Sequence, residues 1–558
     1  MKKINYIHLL IGLILVTFTS CQDFMEYNES STLNKELAFS NMERASKVAL
    51  YSYTYMQDNF GNAMRSSACD ESQYVWPSNA IHNYNNGSWS SFATIDDKWA
   101  HYYAGIQACN NFLENGADKT FEDYQYHQDF ENAYLNYQNL KWEVRALRAF
   151  YHFELVKRYG DIPLINTVLS IDEANSVVQT PAKEVIQWIA SECQTSFNKL
   201  PDSYDYTGNY FQGQAGRITK LFVKALESRA LLYGASPLYN NGTYDTKLLR
   251  SSAKASLDVI ETMEGNGVNL AFIPYFNLWN SDGNKHAKNP SIIASIRRGS
   301  TNKFERENFP ISMEGGKTGN CPTQNLVDAY GMQSGFTYDP ANPYANRDPR
   351  LKETIVVNQS NWAYNNVMDI SYGGADGLPN KGATQTGYYL KKFAMKNTNL
   401  SPNGTTTHKM IWIQFRLAEM YLNYTEAANQ INGVTGTDGD LYLSAIDAIN
   451  SVRARKNLNI DPISAALSSD DFEEKYRKER MVELAFEDHR FWDIRRWMIG
   501  ESTNTIKIMS IEKGENNTYL YTPQISVFNR IWDNKFYFYP INQKELDINI
   551  ELVQNPGW

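Results

Sequence analysis

Cysteine is scarce in this chain, with five in 558 residues and no Cys-x-x-Cys pair. That argues against a disulfide framework and against a thiol-based metal or redox site, and leaves Cys69, Cys109, Cys193 and Cys321 as expected buried free thiols. The eight histidines include no His-Glu-x-x-His, which excludes the common zinc-hydrolase helix. No Gly-x-Ser-x-Gly elbow occurs. Gly316-Lys317-Thr318 ends like a phosphate loop, but Ile311 stands where its first glycine is required. Asp438-Gly439-Asp440 is too short for a calcium loop and reads as a turn. No metal or cofactor is implied. The net charge of −9 without long basic runs argues against nucleic acid as a partner. Beyond the N-terminus, no apolar run approaches the length of a membrane span.

The N-terminal run itself is short. Lys2 and Lys3 precede an apolar stretch from Leu9 to Phe18, and Thr19 and Ser20 lead to Cys21. A positive end, a short apolar segment and small residues before a cysteine make residues 1–20 a bacterial secretion signal. Cys21 is then the lipid-attachment residue, with a polar, acidic tether after it. Phe18 departs from the leucine usual in such signals. The mature chain, residues 21–558, is expected outside the cytoplasm, held on a membrane that it does not cross.

Aromatics are plentiful: 37 Tyr, 26 Phe and 12 Trp. Tyr and Trp combine an apolar face with a polar tip, which suits both large cores and sugar rings. Helical periodicity with broad apolar stripes occurs in 141–159, 217–233 and 412–430. Further helices are predicted at 35–57, 97–115, 181–199, 248–263, 441–456 and 471–498. Stretches rich in Asn, Gly, Ser and Pro separate them at 60–95, 201–216, 264–345, 357–409 and 500–535. The class is mainly α, and its recurring pairs are compatible with a solenoid of helical hairpins. Length alone allows up to about three domains.

Glu479, Glu483 and Glu487 are spaced i, i+4 and i+8, as if on one helical face. Like charges so placed repel unless cations meet them, and Arg477, Arg480, Arg490, Arg495 and Arg496 are near in sequence. An ion-pair network between helices is favoured over a catalytic carboxylate pair.

The segment from Arg477 to Trp497 resembles the C-terminal signature of the SusD/RagB family of outer-membrane lipoproteins. Arg145 to Pro163, with its Arg-Ala-Phe-Tyr core and Gly-Asp-Ile-Pro stop, resembles that family's N-terminal helix. Gly216 to Lys220, Arg229 to Pro237, Pro322 to Asp328, Asn346 to Arg350, Arg416 to Glu426 and the closing Gln554-Asn-Pro-Gly-Trp558 follow in family order. The resemblance implies a single SusD-like unit, with 21–235 and 270–558 as its N- and C-terminal regions. It implies a tetratricopeptide-like scaffold of helical hairpins, long irregular loops and a few short strands. It implies a non-enzymatic lipoprotein of the outer membrane surface that captures glycan and docks on a SusC-like TonB-dependent transporter. A RagB-like peptide binder is the nearest alternative, and a glycoside hydrolase the next.

Ligand contacts are expected from the loops. Trp76, Tyr84 and Trp89 sit among Pro, Ser, Asn and Gly, where either packing or sugar stacking is open to them, whereas Trp99, Tyr102 and Tyr103 belong to a predicted helix and its core. Asn85, Asp70 and Glu71 are candidate partners for sugar hydroxyls, the two acids being equally open to a role as solvated loop charges. Tyr275, Trp279 and Trp362, with Tyr364, are secondary candidates, the first two in a cluster dense enough to be a packed loop.

Overall fold

The computed structural model describes residues 34–204, 216–278, 289–364, 366–526, 528 and 530–558. Cys21 and Trp279 lie outside the described residues. The scaffold is a run of helices packed in chain order. Helix α1 (Met42–Tyr51) leans on α2 (Trp99–Asn115) and α3 (Phe130–Tyr159), and α2 pairs with α3. Then α3 packs on α4 (Ala182–Phe197), α4 on α5 (Lys220–Ala235) and α5 on α6 (Thr246–Gly265). The next helix against α6 is α7 (Leu417–Asn432), which in turn holds α8 (Ala445–Arg453) and contacts α9 (Ser469–Glu483). The expected array of helical hairpins is present. It is interrupted in sequence, not in space: residues 266–416 leave after α6 and return at α7.

Those intervening residues build a second apolar cluster, with Phe304, Leu326, Trp362, Tyr389 and Trp412 among its buried members. Short antiparallel pairs organise it. Strand β1 (Ser72–Tyr74) pairs with β3 (Asn320–Pro322), β2 (Ile292–Thr301) with β4 (His408–Arg416), and β5 (Lys507–Lys513) with β6 (Tyr519–Ile525). None of the helices among the described residues is long and apolar enough to cross a membrane.

Local chemistry sets the helix ends. Asn41 accepts the Arg44 N–H at 2.9 Å and opens α1, so the expected helix over 35–57 is divided there. α3 has no exposed face in its second half, where every residue from Ala146 to Tyr159 is buried, Arg148, His152, Glu154, Lys157 and Arg158 included; it is a central helix. Gly160, at φ 71°, ends it in a backbone conformation that favours glycine. The helix expected over 412–430 begins only at Leu417, because Met410 to Arg416 is a strand buried on both faces. The one expected over 471–498 breaks after Glu483. Phe486 (φ 62°) and Asp488 (φ 66°) turn the chain, and α10 (Arg490–Arg496) follows.

The break does not release the carboxylates. Glu483 accepts from Arg416 at 2.6 Å, Arg455 at 2.8 Å and Arg350 at 3.0 Å. Glu479 accepts from Arg350 at 2.5 Å and Arg453 at 2.6 Å. Glu487, beyond the helix end, accepts from Arg416 at 2.7 Å and Lys392 at 2.9 Å. The expected ion-pair network exists, but its cations come from elsewhere in the chain. Arg480 and Arg496 instead pair with Asp493, Arg496 also pairs with Glu426, Arg477 with Glu473 and Arg490 with Asp70, while Arg495 donates to the Phe491 carbonyl. Burial opposes charge on Glu483, yet Arg455, Arg416 and Arg350 outweigh it and hold the carboxyl down at about 2.

Candidate functional site

Trp76 follows the short β1–β3 pair and a backbone bond from the Val75 N–H to the Gly319 carbonyl at 3.0 Å. It is half-buried, and its indole N–H donates to the Lys317 carbonyl at 2.8 Å. The ring lies beside Gly382, where an added Cβ would stand 2.9 Å from Trp76 Cη2 and 3.4 Å from Ile311 Cγ2. Gly382 sits at φ 84°, so both space and backbone require glycine there. The indole is therefore set in place by three loops, around 76, 311–317 and 382.

The surface continues from that point. Ser312 donates its N–H to buried Asp376 at 3.2 Å, and burial raises the Asp376 carboxyl. Met313 Sδ is 3.8 Å from Asn366 Nδ2, in a hairpin tip that exposes Val367 and Tyr364. Leu378 is exposed on the glycine-rich loop, and Ser78, Asn380, Lys381 and Lys317 bring exposed polar groups nearby. Apart from Tyr364, the sequence reading missed this lip. Its one signal was the density of glycines at 373, 374, 377, 382 and 387.

The other expected platform residues are elsewhere. Tyr84 and Trp89 are 5% and 2% exposed. The Tyr84 hydroxyl donates to that of Tyr539 at 2.8 Å, and Trp89 is edge-on to Trp558 at 4.6 Å and to Tyr539 at 5.4 Å between centroids. Their packing alternative is the one realised, because residues 536–558 cover them. Asn85 is buried and donates to the Ser67 carbonyl at 2.9 Å. Asp70 is buried in a two-point pair with Arg490, at 2.9 and 2.8 Å, and offers nothing to a ligand. Tyr275 is buried and accepts from Lys392 at 3.0 Å. Trp362 is buried near Phe309. Trp99 and Tyr102 are core as expected. Of the aromatic candidates among the described residues, Trp76 is half-buried and Tyr364 exposed, and the others are buried.

Cys69, Cys109, Cys193 and Cys321 are buried free thiols, and burial pushes Cys109 and Cys321 up to about 12. No cluster of three or more metal-binding side chains occurs among the described residues. A polar hole between α3 and the 487–489 turn, lined by Glu154, Lys157 and Asp488, has about 30 Å³, room for water and not for a sugar.

The described residues form a helical-hairpin array that carries loop-built surfaces, and the comparisons place that architecture. Residues 283–558 match the profile described as "SusD family", and residues 23–216 match "Starch-binding associating with outer membrane". The chain belongs to the SusD/RagB family. A SusD-like protein of Formosa agariphila is 22% identical over 526 residues, covering 89% of this chain and 92% of that protein. The crystal structure of a SusD-like protein from Bacteroides fragilis superposes with TM-score 0.77 at 24% identity, covering 93% of this chain and 98% of that one. A laminarin-binding SusD-like protein superposes with TM-score 0.61 at 22% identity, covering 93% and 99%.

Proposed function

We propose that this protein is a cell-surface lipoprotein that binds an oligo- or polysaccharide and passes it to a SusC-like TonB-dependent transporter in the outer membrane. The observation that carries the binding reading is the half-buried Trp76, locked by the Lys317 carbonyl at the meeting of three loops. A sugar ring presents its C–H face to such an indole, while hydroxyls reach Ser78, Lys381 and their neighbours at the rim. The names of relatives support it, since one similar protein binds laminarin and another family profile is described as starch-binding. Lipid at Cys21 holds the protein at the membrane, and modest affinity permits release to the transporter. Glu479, Glu483 and Glu487 are each paired with cations, so this trio does not supply a free carboxylate pair for hydrolysis.

Calorimetry with a panel of neutral oligosaccharides and unstructured peptides tests the reading. Oligosaccharide binding that Trp76→Ala weakens supports it. Binding to peptides alone sinks it, and release of reducing ends from a bound polysaccharide would replace it with a hydrolase.

A further inference from the structure

The turn that hides Trp89 has another side. Phe536 faces inward, its ring 5.6 Å from that of Trp89, while Lys535, Tyr537 and Phe538 line a surface cavity of about 530 Å³. The opposite walls are the chain after α3, the first turn of α4 and Tyr239. The volume lies in the range of small-molecule sites.

From these walls we infer that the cavity is a second saccharide site, distinct from the Trp76 surface. The inference rests on the glycan reading above. Tyr239 and Phe538 meet edge to face at 5.6 Å and form an aromatic wall, and Met498 stands 41% exposed at the mouth. Asp161 supplies the acceptor: one carboxylate oxygen caps α4 by accepting the Ala182 N–H at 2.8 Å, which fixes the group beside the opening. Asn534 is exposed on the other lip.

The charges select a neutral ligand. Lys183 is engaged by Asn240 and Asp245, each at 2.8 Å, and the Lys535 ammonium lies 4.7 Å above the Trp558 ring. Both cations of the lining are thus committed, so an anionic ligand gains little. A peptide would seek an open strand edge, and these walls are helix ends and a short turn. A lipid chain would meet the Asp161 carboxylate and the Asn534 amide at the mouth. A ring with an apolar face and hydroxyls at its edge satisfies aromatic wall and carboxylate together. Two separated sites on one chain retain a polymer without either being tight.

The test is titration calorimetry on the full-length protein in detergent with maltoheptaose, laminariheptaose, xylohexaose and mannohexaose in turn. The expected result is two molecules of the best short probe per chain, falling to one in Trp76→Ala and to one in the double variant Asp161→Asn, Asn534→Trp. Both positions of the double variant are exposed, and Asn retains the helix cap. Met498→Trp, which fills the mouth from a third element, gives the same loss. One site removed by Trp76→Ala and untouched by the cavity variants overturns the second site and leaves the glycan reading standing. Two sites persisting in both cavity variants also overturns it. No binding of any probe by the wild-type chain overturns the glycan reading, and the second site falls with it.

Discussion

Tyr84 and Tyr539 share a buried hydrogen bond of 2.8 Å between hydroxyls that are 455 positions apart. Beside them Trp89 is enclosed by Tyr539, Phe536 and Trp558. This loop is thereby part of the core, and substitutions in it read out as stability. Trp89→Ala is expected to cost about 3–5 kcal/mol, as for other buried aromatics cut to alanine. Tyr84→Phe, which removes one hydroxyl, is expected to cost about 1 kcal/mol. Denaturant unfolding of the two variants measures both, with glycan affinity of the folded protein unchanged.

Trp76 should behave in the reverse manner. Trp76→Ala is expected to weaken oligosaccharide binding tenfold or more, about 1.4 kcal/mol, with a smaller loss of stability than Trp89→Ala. Gly382→Ala tests the seat of the ring, since its Cβ would fall 2.9 Å from the indole at a backbone angle of 84°. It is expected to lower affinity in the same direction. Calorimetry alongside thermal melting separates the two effects.

The pH dependence has two opposed parts. Glu483 titrates at about 2 when folded, below the unfolded value of about 4.3. Its contribution is fully present above pH about 4.3 and is lost as pH falls toward 2. Glu71 is the opposite case. Burial first, then the Asp70 charge, raise it to about 8, so the folded chain holds a proton that the unfolded chain releases. Stability linked to Glu71 is therefore full below pH about 4.3 and falls as pH rises toward 8. Glu71→Gln keeps the acceptor for the Phe486 N–H, now 3.3 Å away, and removes that decline. Urea midpoints from pH 3 to 9 should show a flatter alkaline side for Glu71→Gln. For Glu483→Gln, a loss of about 3–5 kcal/mol is expected near neutrality, because three arginines lose their shared charge.

Cys21→Ala separates anchor from site. The variant is expected to bind oligosaccharide with wild-type affinity in solution, yet leave the membrane fraction and fail to support growth on the polysaccharide. Fractionation, calorimetry and growth curves check the three parts.

The helical scaffold was readable because its signal is local: the apolar stripes of α2, α4, α5 and α6 lie within the elements they define, whereas the cap at Asn41, which divides 35–57, went unread. The strand at Met410–Arg416 was not, since a strand buried on both faces lacks alternation and an apolar run also fits a helix. The network around Glu483 was readable as a need for cations, but not which cations, because Arg350 and Arg416 reach it only through tertiary folding. The platform failed for the same reason. Nothing local to Trp89 announces Trp558, whereas Trp76 escapes cover only because Lys317 and Gly382 pin it at a rim.

The cover over Trp89 also sets a schedule for folding. Residues 536–558 complete a cluster whose other members include Tyr84, Trp89 and Tyr159, as the Tyr84–Tyr539 bond across 455 positions illustrates. Pairings of such sequence separation close slowly, since loop entropy is lost before contacts form. The early helices keep that aromatic surface open until the late segment has docked on it. A chaperone that shields those aromatics in the interval would raise the yield of folded chain.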